Sequence, residues 1–381
     1  MKTVKLATLC NVLSGFAFKS ELFGEKGIPV VRIRDVVRGT SNTYYSGEFD
    51  EKYILENGDI LVGMDGDFNT AYWRGGKALL NQRVCKIEVD PTKVCKKFIY
   101  YLLPLKLKKI WDDTPFVTVK HLSVKKLLDI DVPDWPLETQ KQIAAVLEQA
   151  DQLRKDCQQM EQELNSLAQS VFVDMFGDPV TNPKSFEVTK LKDLVSVLSG
   201  ATPSKSNDSF WVGDVPWVSP KDMKVPELYD AIDHVNEITF TETNLKSIPL
   251  NSILIVVRGM ILAHTVPLAI TRKKLAINQD IKALMVKSES ITSEFLLAAL
   301  SSMHAHLLGI VSTAAHGTKR IDMADLLNIR IIVPSLEKQE EYIKAIQVIR
   351  ELLANQKAEE ALHESNFKAL MQKAFKGELN L

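Results

Sequence analysis

The sequence predicts an α+β protein made of two similar mixed α/β domains, joined and separated by two long antiparallel coiled-coil helices with pseudo-two-fold symmetry. Three observations predict it. Val132-Pro133-Asp134-Trp135-Pro136-Leu137-Glu138-Thr139-Gln140 recurs as Ile332-Val333-Pro334-Ser335-Leu336-Glu337-Lys338-Gln339, each time opening a long helical run. Leu13-Ser14-Gly15 returns as Leu198-Ser199-Gly200, Gly27-Ile28-Pro29-Val30 has a counterpart in Asp214-Val215-Pro216-Trp217, and Asn81-Gln82 returns as Asn278-Gln279. The spacing between partners widens along the chain, as it does in a duplicated domain with loop insertions and not in a short solenoid repeat. Finally, apolar residues after each closing phrase step by three and four, the signature of a helical seam.

Each globular half reads as short strands followed by a helix. In the first, strands are expected over Pro29–Arg34, Asp59–Gly63 and Arg83–Val89, then a helix over Lys97–Ile110. The second repeats this with Val215–Ser219, Ile253–Val257 and Asp280–Val286, then a helix over Ser293–Leu308. Polar, glycine-containing loops lie between strands, Gly63-Met64-Asp65-Gly66-Asp67-Phe68-Asn69 in one half and Arg258-Gly259-Met260 in the other. Such loops suit ligand contact, although glycines also serve ordinary tight turns.

The first rod carries apolar residues at Ile143, Val146, Ala150, Leu153, Cys157, Met160, Leu164, Leu167 and Val171, a coiled-coil seam. Gly177 and Pro179 end it. A helix of about 37 residues rises roughly 55 Å. Its narrow apolar stripe needs another helix, and the run after Pro334 supplies one through Ile346, Ile349 and Leu353, resuming at Phe367, Leu370 and Ala374. Between them Gln356, Glu360 and His363 weaken the register, so either the pairing loosens there or another protein enters. A rod that leaves the second half and packs beside the first must run back, so the pair is expected to be antiparallel. The competing reading is that each helix merely caps its own domain. The resulting divisions are residues 1–136, 137–178, 179–334 and 335–381.

At 381 residues the chain exceeds one ordinary core. It has no run long enough to cross a bilayer and no apolar segment after Lys2 and Lys5 to act as a signal peptide, so no membrane partner is expected. Cys10, Cys85, Cys95 and Cys157 form no CxxC pair, which points to reduced thiols, a cytoplasmic setting and no zinc. His304-Ala305-His306 falls in a helical run, where positions two apart diverge, and is not expected to bind metal. Net charge is only −1, yet lysines crowd Lys93–Lys126 and bases crowd Arg258–Lys287, while Leu137–Asp178 is acidic. Solvated faces and phosphate contacts both account for such runs.

The residues for catalysis are missing. There is no Asp/Asn-Pro-Pro-Tyr/Phe tetrapeptide to hold an extruded base, no phosphate-binding glycine loop and no nucleophile elbow. Pro133-Asp134 with Glu138 and Lys141 has the wrong spacing for a nuclease, and the other half has Pro334-Ser335 in its place.

At these residues the chain resembles the specificity subunits of Type I restriction-modification systems over nearly its whole length. The features that carry the resemblance are Leu13-Ser14-Gly15, Gly58-Asp59-Ile60-Leu61-Val62, Leu80-Asn81-Gln82-Arg83-Val84, the helix starts at Pro136 and Pro334, Phe176-Gly177-Asp178-Pro179 and Gly317-Thr318-Lys319-Arg320-Ile321. Departures occur where the first half has Thr118-Val119-Lys120-His121-Leu122 against that last segment, and where Ser252 stands in place of a Gly-Asp. The resemblance implies two target-recognition domains on double-stranded DNA, reading a bipartite sequence with an unread spacer. It implies two modification subunits bringing S-adenosylmethionine and adenine methylation, joined by restriction subunits with ATP- and Mg-dependent translocase and nuclease activity. This chain itself would hold no cofactor, no metal and no catalytic residue. A fused restriction or methyltransferase enzyme, and a coiled-coil scaffold without DNA contact, are the alternatives.

For base reading the loops offer Asn69, Arg74 and Lys77 in the first half and Ser204, Lys205, Arg258 and Arg272 in the second, because Arg forks onto guanine and Asn onto adenine. Lys120, His121, Lys319 and Arg320 look like phosphate contacts that set register. Trp73 and Trp211 read as structural aromatics before stacking ones. Asn81 and Asn278 are common to both halves and so read as scaffold.

Overall fold

A computed structural model describes residues 2–115, 119–314 and 317–379. The chain divides into two compact units, one comprising Met1–Gln158 with Ala358–Leu381, the other Gln159–Lys357. Each is an α+β body.

The first unit is built on an antiparallel sheet in the order Cys10–Ser14, Val84–Val89, Ile60–Gly63, Thr70–Tyr72. Alternation along Ile60–Gly63 sends Ile60 and Val62 to one core and Leu61 to another, so the sheet is buried on both faces. On the first face lies the helix Lys96–Asp112, through Phe98, Ile99, Leu102 and Leu103. On the other, Leu61 joins Val31, Val36 and the fully buried Trp73, whose Nε1 donates to Gly76 O at 2.5 Å. The run read as a strand over Pro29–Arg34 stops at Val31 and turns into a helix, Ile33–Arg38. Asp35 reaches back to accept the Arg32 backbone N–H at 3.0 Å, a local contact that overrides the β-branched pattern.

The second unit repeats the order with Val195–Ser199, Ile281–Val286, Ile253–Val256 and Leu268–Thr271, then adds Glu227–Leu228 at the edge. Its helix is not continuous over Ser293–Leu308. It breaks at Met303 into Ser293–Ser302 and His304–Gly309, and His304 Nε2 lies 3.0 Å from Thr265 Oγ1.

Two helices of 40 and 41 residues, Leu137–Phe176 and Leu336–Lys376, are shared between the units. In the first unit the opening of the central helix (Ile143, Ala144, Leu147) packs with Met371 and Ala374 from the end of the distal one. In the second, Phe172 and Phe176 from the end of the central helix pack with Tyr342, Ile346 and Ile349 from the start of the distal one. Within each unit the two helices are therefore antiparallel. Helix formation over Leu137–Phe176 ends at Gly177, whose φ of 74° suits glycine and whose N–H returns to Val173 O at 2.7 Å.

The paired face departs from the seam expected from sequence. Ile143, Ile346 and Ile349 are buried and Leu164 and Leu353 half-buried, but Val146, Leu153, Met160 and Leu167 stand 37–46% exposed. The inner row instead passes through Asp151, 3% exposed, and Arg154. Paired polar side chains thus share the row with the buried Leu147 and Cys157, and a hydrophobic pattern does not register them. Glu364, just past the polar stretch of the distal helix, belongs to the same layer and accepts from Arg154 Nη1 at 3.0 Å.

Cys10 and Cys85 are buried, and burial pushes each thiol up to about 12, so both act as packing residues at neutral pH. No helix among the described residues is long and apolar enough to cross a membrane. Nor do the described residues place three or more His, Cys, Asp or Glu together to hold a metal.

Candidate nucleic-acid interface

The recurring Leu-Ser-Gly and Asn-Gln phrases are two sides of one contact. A Cβ on Gly15 would stand 2.1 Å from Asn81 O, and one on Gly200 would stand 2.1 Å from Ile277 O and 2.2 Å from Asn278 O. Only glycine lets these backbones approach. Asn81 Oδ1 accepts from Gln82 N at 2.9 Å, and Asn278, 6% exposed, accepts from Asp280 N at 3.1 Å. The asparagines fold the turns; they do not face outward as readers. Gln140 and Gln339 play a similar fixed part. Gln140 accepts from Cys95 N (2.9 Å) and donates to Trp135 O (2.8 Å). Gln339 accepts from Thr292 N (2.9 Å) and donates to Ser290 O and Pro334 O (2.9 Å each). Each glutamine thus fastens the start of a long helix to the start of the helix packed on the sheet, Lys96–Asp112 in the first unit and Ser293–Ser302 in the second.

Past that contact, both units build the same small frame. In the first, Met64 N donates to Arg83 O (3.0 Å), Leu122 N to Met64 O (2.7 Å) and Gly66 N to Lys120 O (3.0 Å), with Asp65 bridged to His121. In the second, Val257 N donates to Asp280 O (2.8 Å), Ile321 N to Val257 O (2.9 Å) and Gly259 N to Lys319 O (3.0 Å), with Arg258 bridged to Arg320. The backbone correspondence is therefore 65 with 258, 83 with 280 and 121 with 320. The side chains differ at all three.

On the first frame His121 Nδ1 lies 2.7 Å from Asp65 Oδ1, and Arg83 Nε lies 3.4 Å from Asp65 Oδ2. Together with Gln82 and Val119 they line an open depression of about 430 Å³. On the second frame Arg258 and Arg320 are exposed, and Lys282 donates to Ser199 Oγ at 2.7 Å. Burial, and then the neighbouring Arg258 charge, hold the Lys282 ammonium below its ordinary range. Asp280 is turned toward Asn278 Nδ2, 3.2 Å away. This frame is net cationic.

The remaining candidates fall into two groups. Asn69, Arg74, Lys77, Ser204 and Lys205 are exposed on loops, and Ser204 Oγ sits 2.8 Å from Ser206 Oγ. Trp211 is fixed to that loop by Nε1 donating to Ser204 O at 3.1 Å and stands edge-on to Trp217. Others are taken up inside their unit. The Lys120 ammonium donates to Trp111 O at 2.5 Å and sits 3.5 Å from the Trp111 ring centre. Lys319 Nζ donates to Thr313 Oγ1 at 2.8 Å. Arg272 donates to Glu227 (2.7 and 3.1 Å), Glu294 (3.0 Å) and Asn251 (2.9 Å), with Arg350 also 3.0 Å from Glu227. Burial pushes the Glu227 carboxyl up, but Arg272 and Arg350 together hold it below its usual value. A guanidinium with its donors so engaged has little left for DNA. Sequence reasoning did not single out Arg83, Gln82, Lys282 or Asp280 as DNA-contacting candidates. Aligning the two halves position by position around Asn81 and Asn278 is the signal that finds them.

A family model described as the Type I restriction modification DNA specificity domain matches residues 1–166 and 183–363. The chain belongs to the Type I restriction-modification specificity subunits. It is 31% identical to the EcoBI specificity subunit of Escherichia coli over 99% of this chain and 85% of that protein. It is 25% identical to the MjaVIII specificity subunit of Methanocaldococcus jannaschii over 87% of this chain and 81% of that one. In fold, it matches the S subunit from M. genitalium with a TM-score of 0.59 at 15% identity, covering 98% of this chain and 96% of that structure. It also matches a subunit from a structural study of complex assembly in the type I R-M system, with a TM-score of 0.61 at 16% identity over 99% of this chain and 98% of that one. As a specificity subunit it is the recognition component and not an enzyme, which sets aside the fused methyltransferase or restriction enzyme and the scaffold without DNA contact.

Proposed function

We propose that each unit of this specificity subunit reads one half of a bipartite double-stranded DNA target, with the long helices fixing the spacer. The observation that carries this is the repeated frame, identical in its backbone hydrogen bonds and different at positions 65/258, 83/280 and 121/320. One scaffold carrying two side-chain sets is what two unlike half-sites require. Residues 1–136 and 179–334 act as the recognition domains, and 137–178 and 335–381 as the spacer. Arg258 contacts bases, with Asn69, Arg74, Lys77, Ser204 and Lys205 on neighbouring loops; His121 and Arg320 hold phosphates and set register. Two modification subunits bring S-adenosylmethionine, and restriction subunits bring ATP and Mg. The complex works in the cytoplasm, where its DNA lies.

Mapping methylated adenines genome-wide with and without this gene tests the reading. Methylation at one bipartite sequence should vanish on deletion, while the purified chain alone neither methylates nor cuts. Persistence of that methylation sinks it.

The exposed heptad positions are the natural seat for the modification subunits. Val146 and Leu153 in the first unit, and Met160 and Leu167 in the second, leave apolar area that a partner removes from water at about 1.5–3 kcal/mol per large side chain. Leu153→Glu should therefore weaken assembly with the modification subunit by at least ~10-fold, measured by titration calorimetry, with an unchanged circular dichroism melt. Unaltered affinity would place the docking surface elsewhere.

A further inference from the structure

The two frames carry an acid–arginine pair in opposite order. Position 65 is Asp and its counterpart 258 is Arg; position 83 is Arg and its counterpart 280 is Asp. We propose that Arg83 is the sequence-reading arginine of the first unit and Arg258 that of the second, each forking onto the guanine of one G·C pair from opposite sides of the same frame. This rests on the bipartite DNA-reading function proposed above and names how each half-site is chosen.

The geometry favours Arg83 over the nearby lysines. Asp65 meets it through Nε, at 3.4 Å, and the Arg83 side chain is 67% exposed. The two terminal nitrogens are thus left for an outside acceptor, while the guanidinium plane is steadied from behind. The same carboxylate takes His121 Nδ1 at 2.7 Å, leaving Nε2 on the outer side. Asp65 is therefore a positioning residue for two donors at once. Lys120, the other base of this frame, is engaged on Trp111.

In the second unit the acid does not brace the arginine. Asp280 is engaged with Asn278, and Arg258 is flanked by the like charge of Lys282, which is fastened to Ser199. Arg258 is exposed, and the like charge of Lys282 disfavours its folding back onto its own unit. Arg258 comes from the loop after Ile253–Val256, whereas Arg83 comes from the turn before Val84–Val89. One frame therefore reaches bases from two different edges, which lets the halves read unlike sequences without changing fold. A bidentate Arg–guanine pair discriminates against other bases by about 10- to 100-fold.

The test uses the full chain assembled with its modification subunits on a DNA library randomised across the site, with methylated molecules sequenced. If the wild-type complex returns no bipartite motif, the functional reading itself fails. With a motif in hand, Arg83→Ala should lose about 10- to 100-fold of discrimination at one G·C pair in one half-site. Arg258→Ala should do the same in the other half only. Arg83→Lys and Arg258→Lys keep the charge and lose the fork, so they should show the same relaxed position with overall binding largely retained; they also serve if an alanine variant folds poorly. Asp65→Asn should relax the Arg83 position by a smaller factor. The proposal is overturned if either arginine variant lowers methylation equally on all sequences with an unchanged motif. It is equally overturned if both act on the same half-site, or if the relaxed position is an A·T pair.

Discussion

Gly200→Ala is expected to melt the second unit about 6–12 °C earlier than wild type while the first unit is unaffected. The added methyl would lie 2.1 Å from Ile277 O and 2.2 Å from Asn278 O, both backbone atoms, so no side-chain rotation relieves it. Either the strand Val195–Ser199 or the turn at Asn278 has to move, and that turn also carries Ala201 N donating to Ile277 O at 3.0 Å. Overpacking of this kind costs about 3 kcal/mol, and for a unit of this size each kcal/mol lowers the midpoint by about 2–4 °C. Because the chain has two compact units, one midpoint does not describe it, and the calorimetric transitions have to be resolved separately. Gly15→Ala should produce the mirror effect, with Asn81 O at 2.1 Å as the obstruction. Two unchanged transitions would show that the Leu-Ser-Gly phrase is not the backbone contact described above.

This glycine contact also shows why parts of the molecule were legible in the sequence. Gly15, Asn81, Gln140 and their partners Gly200, Asn278 and Gln339 answer to backbone atoms, and a backbone arrangement repeated in two units demands the same residue twice. Repetition made them visible, and with them the duplication and the pair of long helices. What answers to distant side chains was hidden. Arg272 reads as a base-contacting residue in a basic stretch, but it is held by Glu227 and Glu294, 45 and 22 residues away. Lys120 is withdrawn by Trp111, only nine residues before it, in a contact that the sequence pattern does not show. The helical seam failed at Asp151 and Arg154 because those residues are compatible with burial only when each finds the other and Glu364. The pairing of Asp65 with Arg258 was obscured by the loops of unequal length that separate them from Asn81 and Asn278, and it needed the hydrogen bonds of the frame to be set in register.

Arg154→Ala should be among the most destabilising single changes on the helix pair, and its effect should shrink in acid. Asp151 is almost wholly buried and accepts from Lys155 Nζ at 2.5 Å and Arg154 Nη2 at 2.7 Å. Arg154 also donates to Glu364 at 3.0 Å and lies 5.0 Å from the Phe367 ring centre. Removing one partner from a buried ion pair costs about 3–5 kcal/mol. Lys155 remains, and Arg154 is itself 28% exposed, so the lower part of that range, roughly 3 kcal/mol, is expected. Replacing Arg154 and Asp151 together by Met and Leu should recover most of the loss, because no uncompensated charge is then left inside. Burial raises the Asp151 carboxyl, but the hydrogen bonds from Lys155 and Arg154 outweigh it and bring the folded value below the ordinary 3.8. A depressed folded value gives stability that is present above the unfolded value and lost as pH falls through the folded one. Wild-type urea midpoints for the first unit should accordingly hold from neutrality down to about pH 4 and fall below it. In Arg154→Ala one lowering contact is gone and the folded value rises toward the unfolded one, so the decline should be smaller and the gap to wild type should narrow in acid. The Met/Leu double variant, having no Asp151 to protonate, should lose this part of the acid sensitivity. If all three proteins lose the same stability in acid, the acid response of this unit lies outside the buried layer, and the inner row of the helix pair is held by its apolar neighbours alone.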